Sequence, residues 1–354
     1  MMKKIRTGWL LAAALLLLAA LFAGTRTMSR VPAADRAEKL DAASRMQACM
    51  DRVRIYKEEL GLGVSADDLR QTGMIGEPYT LITTTLGALE AKRTTADPDM
   101  AALAVEMLHE AGVRSGDTIG AGFSGSFPAM NLAVLSACAA MDVHLVYVAS
   151  VGASTYGANQ PELTFPDMAL RLAADGLIPA PPDAISMGGY RDCGLDMEPE
   201  TASAIRARLE DSGVPFLYEE DYASNIAARM RLYEEKGPIS CFIGVGGNLT
   251  TIGQGEDTVP YGLVPPNTVR LTDEKSGLME LYNAAGLPVL HLLNIKRLVA
   301  DYGLPYDPES PTVPGRSAVY FTKRFPVSAA VLGLGGAAAV LAAGRRRRKE
   351  EETS

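Results

Sequence analysis

The sequence predicts an α/β fold: a mostly parallel, doubly wound sheet in an extracytoplasmic domain, flanked by N- and C-terminal transmembrane helices. Three observations carry that expectation. From Asp117 onward, short apolar runs alternate with helical stretches of ten or more residues, the pattern of right-handed crossovers in a parallel sheet covered on both faces. Trp9 to Gly24 and Pro326 to Gly344 are uninterrupted apolar runs. The second has 19 residues, and a helix of that size is roughly 28 Å long, close to the hydrocarbon thickness of a bilayer. Lys3, Lys4 and Arg6 precede the first run, and Arg345, Arg346, Arg347, Arg348 and Lys349 follow the second. Bases stay on the cytoplasmic side, so both ends are expected there, with the chain between them outside.

The expected organisation is a cytoplasmic N-terminus (1–6), a transmembrane signal-anchor (7–24), an extracytoplasmic α/β domain (25–325), a transmembrane helix (326–344) and a cytoplasmic basic and acidic tail (345–354), all in the inner (cytoplasmic) membrane. A cleavable secretory signal also begins basic and continues apolar. Around Leu21 to Thr27, however, the small-x-small pattern is poor and Arg26 follows at once, which favours an uncleaved anchor. Ala329, Gly333 and Ala337 fall four apart on one face of the second span. Such spacing lets helices approach closely and makes this span a candidate for self-association or for contact with another membrane subunit.

Within the domain, residues 33–61 read as an amphipathic helix, with Ala43, Met46, Met50, Val53 and Leu60 at three- and four-residue steps and Gly61 and Gly63 as its stop. The helix would lift the domain off the membrane or cover it. Thr80 to Thr85 predicts a strand, and Asp97-Pro98 the start of a helix running to Ala111. Strands are then expected in DTIGAGFSG (from Asp117), HLVYVASVG (from His144), DAISMGG (from Asp183), PFLYEED (from Pro215), ISCFIGVGG (from Ile239) and GLPVLHLLNI (from Gly286). Helices between them are expected in SFPAMNLAVLSACAAM, PDMALRLAADG, ETASAIRARLEDSG and YASNIAARMRLYEEKG. Residues 301–325 open as a proline-rich, acidic, semi-rigid linker, and Tyr320, Phe321 and Phe325 are placed as interfacial aromatics before the second span.

Charge and composition exclude several functions. Residues 25–325 hold 26 Lys and Arg against 39 Asp and Glu, near −13, which repels nucleic acid and anionic lipid at long range. A polyanion could be handled only in a local pocket or through a partner. The four cysteines, Cys49, Cys138, Cys193 and Cys241, form no CxxC or Cys/His cluster, so no metal site is expected; Cys138 and Cys241 lie in apolar segments as small hydrophobes.

Chemistry is expected beyond the carboxyl ends of the strands, where a doubly wound sheet binds its ligands. Those ends are rich in small residues: GAGFSGS (from Gly120), SVGASTYG (from Ser150), Gly188-Gly189 and GVGGNLTT (from Gly244). Glycine lets backbone N–H groups approach an anionic ligand. Gly122, Gly125, Ser126, Gly246, Gly247 and Asn248 are therefore the candidate ligand-binding residues. Gly120-x-Gly122-x-x-Gly125 matches the dinucleotide fingerprint, but the next strand ends in Val148-Ala149-Ser150 without an acid for a ribose, and no cofactor is expected. Gly122-Phe123-Ser124-Gly125-Ser126 resembles a nucleophile elbow in which Ser126 replaces the second glycine. Ser124 is the candidate catalytic residue, with Asp221 and His291 the partners a triad would need; His291, inside an apolar run, also reads as a core histidine. The alternative role for Ser124 and Ser126 is to cap the following helix. Lys92-Arg93-Thr94-Thr95, the remaining basic cluster on a loop before a helix, is expected to be a solvated loop, with contact to a carboxylate as the alternative, and Asn131, Asn159 and Thr250 are further polar groups able to orient a ligand.

KRTTADPDMAAL (from Lys92), GDTIGAGFSGSFPAMNLAVL (from Gly116), YGANQPELTFPDM (from Tyr156) and FIGVGGNLTTIG (from Phe242) together resemble the poly-gamma-glutamate system protein family over most of the domain. The resemblance implies an accessory binding or scaffolding protein of poly-γ-glutamate (capsule) synthesis or export, partnered by the membrane subunits of the polymer synthase and by the polymer end; it carries no catalytic residues over. The alternative is an extracytoplasmic serine-dependent amidohydrolase or transpeptidase acting on γ-glutamyl amides through Ser124.

Overall fold

The N-terminal apolar run forms helix α1 (Thr7–Arg26), followed by strand β1 (Ser29–Pro32), in a computed structural model that describes residues 7–255 and 259–353. The basic residues expected at positions 3, 4 and 6 lie outside the described residues. The domain opens with α2 (Arg36–Glu59), β2 (Thr83–Thr85), α3 (Leu89–Thr95) and α4 (Asp99–Glu110). There follow β3 (Thr118–Phe123), α5 (Pro128–Ala140), β4 (His144–Ser150), β5 (Ala153–Ser154), α6 (Phe165–Ala174) and β6 (Ala184–Ser186). The chain continues through α7 (Pro199–Glu210), β7 (Phe216–Leu217), α8 (Tyr222–Glu235), β8 (Phe242–Val245), α9 (Leu249–Ile252), β9 (Gly262–Val264), α10 (Leu278–Ala284), β10 (Val289–Leu292) and α11 (Ile295–Tyr302). Strand β11 (Phe321–Arg324) and helix α12 (Val327–Thr353) close it.

Two compact units result: residues 34–320, and the chain ends (1–33 with 321–354). In the larger unit seven strands form one sheet in the order β7-β6-β4-β3-β8-β10-β9, parallel except for β9. From β3 the chain steps outward through β4, β6 and β7, then returns to β8 and steps the other way. The expected α/β, mostly parallel sheet is thus present, with its switch of direction between β3 and β8.

Side-chain alternation distributes the core over both faces. Gly120 pairs with Phe242 and therefore shares its face, where Tyr233 of α8 and Tyr282 of α10 meet the Phe242 ring at centroid distances of 5.4 and 4.9 Å. Phe123 points the opposite way and meets Phe165, the first residue of α6, edge-on at 6.0 Å. α2 buries Ala42, Ala43, Met46, Met50 and Val53, close to the expected stripe, but Leu60 is exposed. The stripe packs on α4 and α5, which makes α2 a structural part of the domain.

Three expectations change. KRTT is not a loop: it ends α3, with Lys92, Thr94 and Thr95 buried. The Leu293-Asn294-Ile295 end of the last expected strand instead starts α11, because the Asn294 side chain accepts the Arg297 N–H at 3.2 Å. The supposed linker is strapped to the domain. Asp307 takes Arg93 in a two-point ion pair of 2.7 and 2.5 Å, and Asp97 accepts the Thr312 N–H at 3.0 Å.

In the smaller unit α1 and α12 run antiparallel, joined by the antiparallel pair β1–β11 with Val31 opposite Thr322. Both helices are long and apolar enough to cross a membrane, and most of their apolar residues are not buried within the protein, unlike those of core helices. The small-residue face of α12 is occupied by α1 of the same chain. A Cβ on Gly333 would sit 2.6 Å from the Ala20 Cβ, and one on Gly336 2.8 Å from Leu16.

Candidate functional site

The carboxyl ends of β3, β4 and β8, with the loop before α3 and the turn after β6, enclose a cleft of about 770 Å³ at the switch point. Ser124, Ser126, Gly247 and Asn248, four of the residues expected to form a site, line it. The other three shape it from behind. A Cβ on Gly125 would lie 2.6 Å from the Val151 carbonyl, one on Gly246 2.9 Å from the Ser124 Cβ, and Gly122 is covered by Thr251. At these positions glycine permits close packing of protein on protein. Only Gly247 has open space where a side chain would stand.

Local hydrogen bonds fix the serines. Ser124 Oγ accepts the Ser126 N–H at 3.1 Å and donates to the Gly152 carbonyl at 3.4 Å. Asn131 Nδ2 donates to the Ser124 carbonyl at 2.9 Å. Ser126 Oγ accepts the Ser154 N–H at 3.0 Å, which ties the turn after β3 to β5. The triad partners are engaged elsewhere. His291 Nδ1 donates to the Val259 carbonyl at 3.0 Å beside the Tyr261 ring, and Asp221 caps α8 by accepting the Ser224 N–H at 2.9 Å. Asn159 bridges Glu77 and Thr83, a structural role.

Two groups dominate the electrostatics, Lys92, expected in a solvated loop, and one that no motif singled out. Lys92 enters the cleft from α3. Its Nζ donates to Ser154 Oγ at 2.7 Å and to the Ser126 carbonyl, and it lies 3.6 Å from the Phe127 ring centroid. These partners are neutral, so burial alone acts on the ammonium and pushes it down to about 7. A Cβ on Gly87 would be 2.7 Å from Ser154 Oγ and 3.1 Å from Lys92 Cε, so the loop before α3 needs glycine to close over this pair.

The second group is Arg229 of α8, fully buried and paired with Asp192 at 2.7 Å. Its remaining N–H groups reach Ser186 Oγ (2.9 Å), Asn225 Oδ1 (2.9 Å) and Thr250 Oγ1 (3.1 Å). Thr250 Oγ1 donates to Asn248 Oδ1 at 2.9 Å. The network also anchors a strained rim. Arg191 and Asp192 both adopt left-handed φ, 56° and 61°, a conformation that costs non-glycine residues and persists where surroundings over-determine it. The bonds to Asp192 do so, and they present exposed Arg191 at the mouth of the cleft. No sequence motif marks Arg229. A basic residue three positions after the inward-facing Ile226 on a helix was the available signal.

Comparisons with family models, with curated proteins and with solved structures find no match for this chain.

Proposed function

We propose that this is a membrane-anchored accessory protein of poly-γ-glutamate synthesis or export, whose cleft holds a carboxylate-bearing end of the polymer beside the synthase subunits. The observation that carries the reading is charge. In a domain with 26 basic and 39 acidic residues, the charged cleft lining among the described residues is Lys92, Arg191 and Asp196, and Asp196 already accepts the Tyr190 N–H at 2.8 Å. A γ-linked glutamate chain bears one free carboxylate per residue, so the acidic surface repels its length while exposed Arg191 at the mouth receives an end. Anchoring raises the effective concentration of site and chain end, so weak affinity suffices. The bases outside both terminal helices support an extracytoplasmic domain in the inner membrane, with both chain ends in the cytoplasm.

The test is calorimetric titration of γ-glutamyl oligomers into the full chain in detergent, alongside deletion of the gene with polymer amount and length measured separately. Binding that weakens about 10- to 100-fold in Arg191→Ala, together with polymer loss on deletion, supports the reading; the factor is that of a charge-assisted hydrogen bond of roughly 1.5–3 kcal/mol. Absence of oligomer binding overturns it, and so does unchanged polymer on deletion.

A further inference from the structure

We propose that Ser154 and Lys92 form a nucleophile–base pair, so that the cleft performs acyl transfer on an amide of a carboxylate-bearing substrate, with water as the final acceptor. The serine expected from the sequence, Ser124, has a carbonyl and an N–H as its partners, neither of which can take its proton. Ser154 instead has the one amine of the cleft lining at 2.7 Å.

Three features of the geometry support the pair. Both residues line the cleft and both are almost fully buried, with Lys92 2% and Ser154 3% exposed. Ser126 grips both members, its carbonyl receiving the Lys92 amine and its hydroxyl the Ser154 N–H, which fixes their mutual geometry. The Phe127 ring and the Gly87 loop exclude water from the amine without neutralising it, as a lysine serving as base at neutral pH requires. Among the described residues the other two buried lysines both feel acids, Lys39 paired with Asp35 and Glu106, and Lys57, bonded to the Ile75 carbonyl, within the field of Asp68 and Glu77, whereas burial alone acts on Lys92.

The steps balance. Neutral Lys92 takes the Ser154 hydroxyl proton as Oγ bonds to the amide carbonyl carbon. The tetrahedral adduct collapses, the C–N bond breaks, and the Lys92 ammonium returns that proton to the departing amine. An ester on Ser154 remains. Water then attacks its carbonyl carbon while Lys92 takes the water proton. The carboxylic acid leaves as the Oγ–C bond breaks, and Lys92 returns the proton to Ser154. Arg191 at the mouth is placed to hold a substrate carboxylate. The pair itself does not depend on that carboxylate belonging to a γ-glutamyl polymer.

The test is labelling of the full chain in detergent with a compact fluorophosphonate, the adduct located by mass spectrometry, and release of nitroaniline from γ-glutamyl p-nitroanilide followed in parallel. The pair requires an adduct on Ser154 whose formation rises with pH to a half-maximal rate near 7. Lys92→Met should slow it at least about 100-fold, the lower bound for loss of a general base. Lys92→Arg should not restore it, because a guanidinium keeps its proton; a structural cation would be replaced. Should Lys92→Met fail to fold, the wild-type pH profile and loss of label in Ser154→Ala still decide. An adduct on Ser124, Ser126 or Ser150, or no adduct, overturns the pair. Labelling without oligomer binding leaves the pair and removes the polymer; oligomer binding with Ser154 unlabelled does the reverse.

Discussion

Asn248 Nδ2 donates to Ser150 Oγ at 3.1 Å, joining the turn after β8 to the end of β4 across the floor of the cleft. Ser150 Oγ in turn donates to the Phe123 carbonyl at 3.0 Å, so three neighbouring strand ends share one chain of hydrogen bonds that runs on through Thr250 to Arg229.

Because that chain ends in a buried ion pair, its two members are unequal to substitution. Arg229→Met removes the cation that balances buried Asp192 and should cost about 3–5 kcal/mol, the usual effect of breaking a buried pair from one side. Asp192→Asn strands the Arg229 charge in turn but leaves it the neutral acceptors on Ser186, Asn225 and Thr250, and should cost less. Denaturant unfolding of the two variants checks the ranking, and equal losses would mean that the pair is not the anchor of the rim.

The glycines of the cleft should separate into two kinds. Gly125→Val places atoms within 2.6 Å of the Val151 carbonyl and should prevent accumulation of folded protein. Gly247→Val meets open space, so it should melt like the wild type while its side chain occupies the cleft and weakens oligomer binding. Thermal melts and titrations of both distinguish packing from occupancy.

Lys92 also predicts a pH dependence of stability. Its folded pKa, about 7, lies below the ordinary lysine value, so between 7 and roughly 10.5 the unfolded chain binds more protons than the folded one. Stability should therefore rise with pH across that window, its cost to the fold being complete below 7. From pH 7 to 8.5 the gain is about 1–2 kcal/mol for the single group. Lys57, pushed down to about 8 by burial, adds in the same direction from higher pH. Denaturant midpoints over this range should show the slope in the wild type and a smaller one in Lys92→Met.

The terminal pair offers a fourth test. Val31→Cys with Thr322→Cys should form a disulfide, since the two residues are register partners of β1 and β11. Adding Gly333→Leu, which drives a side chain into Ala20, should reduce that cross-link. An unchanged yield would separate strand pairing from helix packing.

The central sheet was legible because its signals are local. Apolar runs bounded by glycine and serine located β3, β4, β6 and β8, and the rule that ligands sit beyond such ends located the cleft through Ser124, Gly247 and Asn248. Short elements were not legible. α9 has four residues, and β9 carries three whose pairing with β10 is antiparallel and so breaks the repeating pattern. Lys92 was misread for a different reason. A charged residue beside another basic residue reads as solvent-facing, and its burial follows from tertiary partners at Ser126, Phe127 and Ser154, more than thirty positions away. Gly125 and Gly246 were expected to approach a ligand, whereas the structure shows each packed closely against the protein itself, a distinction periodicity does not encode.

The pairing of α1 with α12 also sets an order of events during synthesis. Some three hundred residues separate Arg26 from Val327. At about 5–20 residues per second, the first helix waits on the order of 15–60 s for its partner. The intervening domain emerges and can complete its fold during that interval, tethered at one end only. The glycine-bearing face of the last helix then finds a surface already in place, and closing the hairpin becomes the final step of assembly. A chain stalled or cut before Phe321 would keep its cleft residues but never make that closure, so the folded cleft and the closed pair of terminal helices are separable in time and by experiment.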